Sequence, residues 1–164
     1  KIVNNLESDL IRFYYGEDLI GNELGAAAKN VMGLAAGMLD GMGVSEMKGA
    51  LMARGTNEIS RLIKAIGGNP LTAYGLCHLG DYEATLFSEN SHNRRFGELF
   101  IKGETFGKLA EGVMTSVALL KLAERFNVEL PITNTVNKVI NKKQNPDIAL
   151  KELFLRPTKT EFYY

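Results

Sequence analysis

The chain of 164 residues is long enough for one domain with a sizeable hydrophobic core. Its 19 basic and 19 acidic residues cancel, which excludes a global field that would draw nucleic acid or an anionic membrane surface and leaves only local sites for small anions. A single cysteine, Cys77, excludes an intramolecular disulfide framework and fits a reducing compartment, read here as the cytoplasm.

The chain opens on Lys1, without a targeting segment, and reads as a piece of a longer protein. Residues 9–15 hold a short β-branched and aromatic run that predicts a strand, ended by Gly16, Glu17 and Asp18. No second strand of comparable quality follows. A lone strand cannot satisfy its own hydrogen bonds, so it is expected to belong to a sheet outside this chain or to pair with another copy.

Leu19 to about Leu39 predicts a long helix, broken by Asp40-Gly-Met-Gly43. Ser45 is the expected N-cap of the next helix, with Glu46 in its first turn. Leu51, Ile59, Leu62, Ile63 and Ile66 mark that helix's apolar face, and Gly67-Gly68 stops it. Asn69-Pro70 reads as cap and first residue of a short helix through Tyr74. Residues 75–97, rich in Gly, Ser, Asn, His and Arg, are expected to be irregular. Further helices are predicted from Gly112 to Phe126, with Val117, Leu119, Leu120 and Leu122 buried, from Pro131 to about Asn141, and from Asn145-Pro146 to about Phe154. The pattern is all-α, with an orphan strand in front. It divides into residues 1–18, a helical body over 19–156 and a tail over 157–164. The apolar run between Asn30 and Asp40 spans about ten residues, where a membrane span needs about twenty.

The first long helix carries a ladder with a spacing of four: Gly21, Gly25, Lys29, Gly33, Gly37 and Gly41. Neighbours four apart stack with a drift of about 40° per step, so the ladder is a stripe without side chains, interrupted by one ammonium. Each interior glycine costs about 1 kcal/mol against alanine, a cost accepted where something must approach the backbone closely. A lysine in such a seam is well placed for chemistry. The same ladder also serves plain helix packing, and a lysine can reach out of a seam along its aliphatic stem.

The densest polar segment runs from Leu79 to Gly97. Asp81 and Thr85 lie four apart, so one helical face could present both. Ser91, His92, Asn93 and Arg94 supply hydroxyl, imidazole, amide and guanidinium in succession, a set suited to a phosphate needing several donors. A solvated loop with a helix cap has the same composition. His78 and His92 lack metal-motif spacing, so no metal site is expected. There is no nucleophile elbow, and Gly41-Met-Gly43 lacks the strand and spacing of a dinucleotide fingerprint.

Six blocks in register resemble a known family: Gly21-Asn-Glu-Leu-Gly-Ala-Ala-Ala-Lys-Asn30, Ala36-Gly-Met-Leu-Asp-Gly-Met-Gly43, Arg54-Gly55, Gly75-Leu-Cys-His-Leu-Gly-Asp81, Ser91-His-Asn-Arg-Arg-Phe-Gly97 and Glu111-Gly112. They look like the C-terminal domain of NAD(P)-dependent glycerol-3-phosphate dehydrogenase of the bacterial type. The resemblance implies a multi-helix domain similar to the C-terminal domain of 6-phosphogluconate dehydrogenase. It also implies an N-terminal Rossmann domain, outside this chain, that holds most of the NAD or NADP and of which residues 1–18 would be the last part. It implies Lys29 as the catalytic lysine, with Asp81 beside it. Substrate would be held by Lys29, Asn30, Asp81, Thr85, Ser91, His92, Asn93 and Arg94, and the cofactor approached by His92, Leu109 and Glu111. The implied activity interconverts dihydroxyacetone phosphate and sn-glycerol 3-phosphate, for phospholipid synthesis. The implied partners are a small phosphate substrate and the Rossmann domain, with neither nucleic acid nor membrane. An uncovered apolar surface and a free strand edge would favour a homodimer.

Three positions depart from the family's pattern. His92 stands where the family has arginine, Ala53 where it has threonine, and His78 where it has a glycine before Leu-Gly-Asp. A histidine offers no fixed-charge bidentate fork, so phosphate recognition is the altered element. A related dehydrogenase with a different small hydroxy substrate, and a non-catalytic helical module, are the competing readings.

Overall fold

In the computed structural model, residues 2–157 and residue 160 are described. A short helix α1, Ile2–Leu6, precedes the axis of the fold, α2, Leu19–Gly41. The Asp18 carboxylate starts α2 by accepting the Gly21 N–H at 3.0 Å, satisfying one of the donors a helix leaves free at its start. Its other oxygen accepts from the Asn69 N–H at 2.9 Å and the Thr72 hydroxyl at 2.7 Å, which ties the same helix end to a distant turn. From Val31 to Leu39 every residue of α2 is buried. A helix apolar all round is a central helix, and the others wrap it.

After a 3₁₀ turn at Ser45–Met47 comes α3, Lys48–Ile66. Gly67 ends it at φ +98, a left-handed conformation that glycine adopts without steric cost. A second 3₁₀ turn, Pro70–Tyr74, is capped by Asn69, and a π turn, Leu76–Gly80, leads straight into α4, Asp81–Phe87. Next are α5, His92–Ile101, α6, Gly112–Arg125, α7, Pro131–Ile140, and α8, Pro146–Phe154. The core joins Met32, Leu34, Ile59, Leu62, Ile63, Tyr82, Leu86, Leu119 and Val136. Glu58, wholly buried on α3, caps α7 from outside: it accepts from the Ile132 and Thr133 N–H groups at 2.7 and 3.0 Å and from the Thr133 hydroxyl at 2.7 Å. No described helix is long and apolar enough to cross a membrane.

The all-α architecture is the expected one, with four corrections. Residues 9–15 form no strand: an isolated bridge joins Ser8 to Ile11, and Arg12–Asp18 carry no regular structure, because the described residues offer no second strand to complete a ladder. The free strand edge that favoured a homodimer is therefore not formed. Ser45 is no helix cap: its hydroxyl donates to Asp40 at 2.6 Å, and α3 starts at Lys48 without a side-chain cap. Residues 75–97 are largely helical rather than irregular, because Tyr82, Leu86 and His78 are drawn into the core. On α6 Leu119 is buried, while Val117, Leu120 and Leu122 are half-buried. The tail over 157–164 lies mostly outside the described residues.

Candidate active site

The glycine stripe of α2 is a seam against which the rest of the polar segment packs. A Cβ on Gly37 would lie 1.8 Å from the Arg94 carbonyl oxygen, so α5 lies directly on the α2 backbone there. One on Gly25 would lie 2.9 Å from the His78 Cβ, which brings the π turn onto the same stripe further up. Lys29 lies between these two approaches, and its ammonium pairs with the Asp81 carboxylate at the start of α4. The lysine side chain is 25% exposed and the aspartate 46%, so the pair sits at the mouth of the seam and faces solvent. A solvated pair of this kind contributes only about 0–1 kcal/mol to stability. The glycines around it are taken up by close packing, Gly25 against His78 and Gly33 against Asn93 and Thr85.

Behind the pair lies a network of amides. Asn93 on α5 is buried. It donates to the Asn30 Oδ1 at 3.0 Å and accepts the Gly112 N–H at 2.9 Å. Asn30 in turn donates to the Glu111 carboxylate at 3.3 Å. Donor and acceptor demands fix both amide orientations, and they tie α2, α5 and the start of α6 together behind Lys29. Thr85 lies one turn after Asp81, and its hydroxyl donates to the Asp81 carbonyl at 2.8 Å.

The remaining expected residues are placed differently. Ser91 caps α5 by accepting the Arg94 N–H at 3.3 Å. Arg94 turns its guanidinium to Asp40 at the end of α2, with Nε to Oδ2 at 2.6 Å, and Lys48 donates to the same carboxylate at 2.7 Å. Burial opposes the charge of Asp40, but the Lys48 and Ser45 hydrogen bonds and the nearby Arg94 outweigh it and lower its pKa below 3.8. His92 is exposed and meets the edge of Phe106 at 5.9 Å between ring centres. With Arg95 and Lys108 it lines an open cavity of about 690 Å³. Leu109 is 74% exposed, two residues before Glu111. The fold thus assembles Lys29 with Asp81 and Thr85, and Asn30 with Asn93 and Glu111. Arg94 is committed to Asp40, and His92 opens onto the cavity.

Residues 18–151 match the family model described as the C-terminus of NAD-dependent glycerol-3-phosphate dehydrogenase. The chain belongs to this family. Glycerol-3-phosphate dehydrogenase (NAD(P)+) of Clostridium botulinum, strain Alaska E43, is 41% identical over 98% of this chain and 51% of the relative. The Enterococcus faecalis protein of the same name is 43% identical over 94% of this chain and 48% of its own length. The crystal structure of glycerol-3-phosphate dehydrogenase from Coxiella burnetii superposes with a TM-score of 0.86 at 32% identity, over 94% of this chain and 50% of that one. The chain spans about half the length of the curated glycerol-3-phosphate dehydrogenases it matches.

Within this dehydrogenase C-terminal domain, several structurally decisive residues had not been singled out from sequence. Asp18 stands directly before the helix, and N-cap chemistry alone could have identified it. Asp40 reads locally as the end of an apolar run and part of a helix break. Lys48 and Glu58 gave no local signal, because their partners lie on other elements. Among the described residues no group of three or more His, Cys, Asp or Glu is placed to hold a metal.

Proposed function

We propose that this chain is the substrate-binding and catalytic half of a cytoplasmic dehydrogenase that interconverts dihydroxyacetone phosphate and sn-glycerol 3-phosphate, supplying glycerophospholipid synthesis. The observation that carries this reading is the solvent-facing Lys29–Asp81 pair at the mouth of the glycine seam. The ammonium there is open to solvent on one side, where a small carbonyl compound can reach it. As the ketone is reduced, negative charge grows on its oxygen, and Lys29 stabilises that charge and delivers the proton. In the reverse direction the neutral amine takes the proton from the hydroxyl. Asp81 orients the ammonium and accepts from a substrate hydroxyl.

In the same reading Asn30, Thr85, Ser91, His92 and Asn93 border the substrate. Arg94 supports them by holding α5 on α2 through Asp40. NAD or NADP, when bound, supplies the hydride. The residues of this chain that would meet it suit it: Leu109 offers exposed apolar surface to a flat ring, and Glu111, held by Asn30, offers acceptors to an amide. His92 completes that border. Most of the dinucleotide would be held by a Rossmann domain preceding Lys1. Exposed Leu19, Leu71 and Leu76 give that domain, or a second copy of the chain, an apolar surface to cover.

The test is Lys29→Ala in the full-length dehydrogenase, with stability measured alongside. Turnover is expected to fall by roughly 10²–10⁴-fold with folding retained. Near-normal rates would remove Lys29 from the mechanism. A different small hydroxy substrate is the second reading, favoured by the exposed imidazole of His92, which offers no fixed charge to a phosphate. Turnover of a panel of phosphorylated and unphosphorylated ketones decides between the two.

A further inference from the structure

His78 is wholly buried, yet nothing in the proposed chemistry uses it. Its Nδ1 lies 2.9 Å from the Gly25 carbonyl oxygen. A carbonyl can only accept, so Nδ1 carries the proton and the ring is the neutral Nδ1–H tautomer. Nε2 is then a buried lone pair, and it has no hydrogen-bond partner. The ring stacks on Tyr82 with centres 5.2 Å apart, and the Tyr82 hydroxyl donates to the Leu51 carbonyl at 2.7 Å. Leaving one nitrogen of a buried imidazole unsatisfied is unfavourable, and the Nδ1–H bond to Gly25 is the polar contact that holds the ring.

That bond ends on a particular carbonyl. In an α-helix the Gly25 carbonyl is the acceptor for the Lys29 N–H, one turn on. One oxygen therefore holds both the backbone of Lys29 and the side chain of His78. On the other side, the Asp81 N–H at the end of the π turn is shared between the His78 and Leu76 carbonyls. A short relay of hydrogen bonds thus joins the backbone of Lys29 to the backbone of Asp81. Their charged ends meet at the surface in a solvated pair that is too weak to fix its own geometry.

From this geometry we infer that His78 is a positioning residue: its Nδ1–H bond to Gly25 sets the distance and direction at which Asp81 meets Lys29. The inference rests on Lys29 and Asp81 being the working pair of the proposed dehydrogenase. The requirement is for a donor at the Nδ1 position rather than for a ring or a charge. Asparagine puts its amide nitrogen at that position. Glutamine puts its own where the unpartnered Nε2 lies.

The test compares His78→Asn, His78→Gln, Asp81→Asn and the double variant H78Q/D81N in two measurements. In the full-length dehydrogenase, H78Q is expected to lower kcat at least tenfold with KM within about twofold, and the double variant to be no slower than D81N alone. H78N is expected to restore kcat to within about threefold of the parent. The second measurement needs no turnover: the rate at which an amine reagent modifies Lys29 in this full chain, read by mass spectrometry. That rate is expected to rise several-fold in H78Q and in D81N, without further rise in the double variant, and to stay at the parent value in H78N. Equal losses in H78N and H78Q, or additive effects of H78Q and D81N, would show His78 to be ordinary packing and overturn the proposal. Ring ¹⁵N spectra of the parent protein decide the point even if a variant does not fold, since an Nε2–H tautomer overturns it outright. A parent protein without dehydrogenase activity that still shows the modification pattern would defeat the functional reading and leave the positioning role standing.

Discussion

Arg94 Nε donates to Asp40 Oδ2 at 2.6 Å, and the bond fastens the first turn of α5 to the last turn of α2. It lies one residue from Asn93, whose amide reaches Asn30 beside the lysine. The ion pair therefore sets the register in which the donors of α5 face the seam. Arg94→Ala would leave Asp40 nearly buried with Lys48 as its remaining cation, and a loss of about 2–4 kcal/mol is expected in urea unfolding. Asp40 has a folded-state pKa below its ordinary 3.8. Its contribution is complete above 3.8 and is lost as pH falls through the lowered value, so the parent should lose stability in that window. The Asp40→Asn variant should show a flatter profile there.

Asp81 offers the opposite separation. Its side chain is 46% exposed, so Asp81→Asn should change unfolding free energy by less than about 1 kcal/mol. In the full-length dehydrogenase the same change should lower kcat by about 10²-fold, because the ammonium loses its orienting partner. Steady-state kinetics beside urea melts checks both halves. A rate loss matched by a stability loss would place Asp81 in the scaffold.

Glu58 is a cap supplied by a different helix. Glu58→Ala would strand two N–H groups at the start of α7 and the Thr133 hydroxyl, at about 1–3 kcal/mol for each group left unsatisfied. Glu58→Gln keeps one acceptor and should cost less. Complete burial raises the carboxyl's pKa above 4.5, although the bonds from Thr133 and Ile132 pull it down. A raised folded value means that its contribution is greatest below 4.5 and is lost as pH rises through the raised value. Thermal melts of the parent and the Gln variant should therefore converge as pH rises through the raised value, because only the parent has a carboxyl to ionise.

Gly37 and Gly49 make a paired test of the seam. Alanine at Gly37 would place a Cβ 1.8 Å from the Arg94 carbonyl, so α5 must shift, with an expected loss of about 3 kcal/mol or more. Alanine at Gly49, in α3, meets nothing within 4 Å and should gain up to about 1 kcal/mol from helix propensity. Chemical denaturation of both variants reads the difference directly.

By itself, the sequence determined the helical body and its punctuation. Asn69-Pro70, Gly67, Pro131 and Asn145-Pro146 act within a few residues of themselves, so local chemistry settles them wherever the chain is placed. The glycine stripe of α2 was legible for the same reason, as a helical period carries its own geometry, and Lys29 stands in it. What covers that stripe was not legible. The segment over residues 75–97 reads as irregular, yet it folds largely into helices because Tyr82, Leu86 and His78 find places in the core. The run at 9–15 has the composition of a strand but lacks a second edge, and an edge is a property of neighbours. Arg94 reads as one donor of a phosphate-binding set, and the structure pairs its guanidinium with Asp40, 54 residues away. Only tertiary structure decides such outcomes, since a charged or amide side chain commits to whichever partner the packed backbone brings within 3 Å, and sequence distance does not encode that approach.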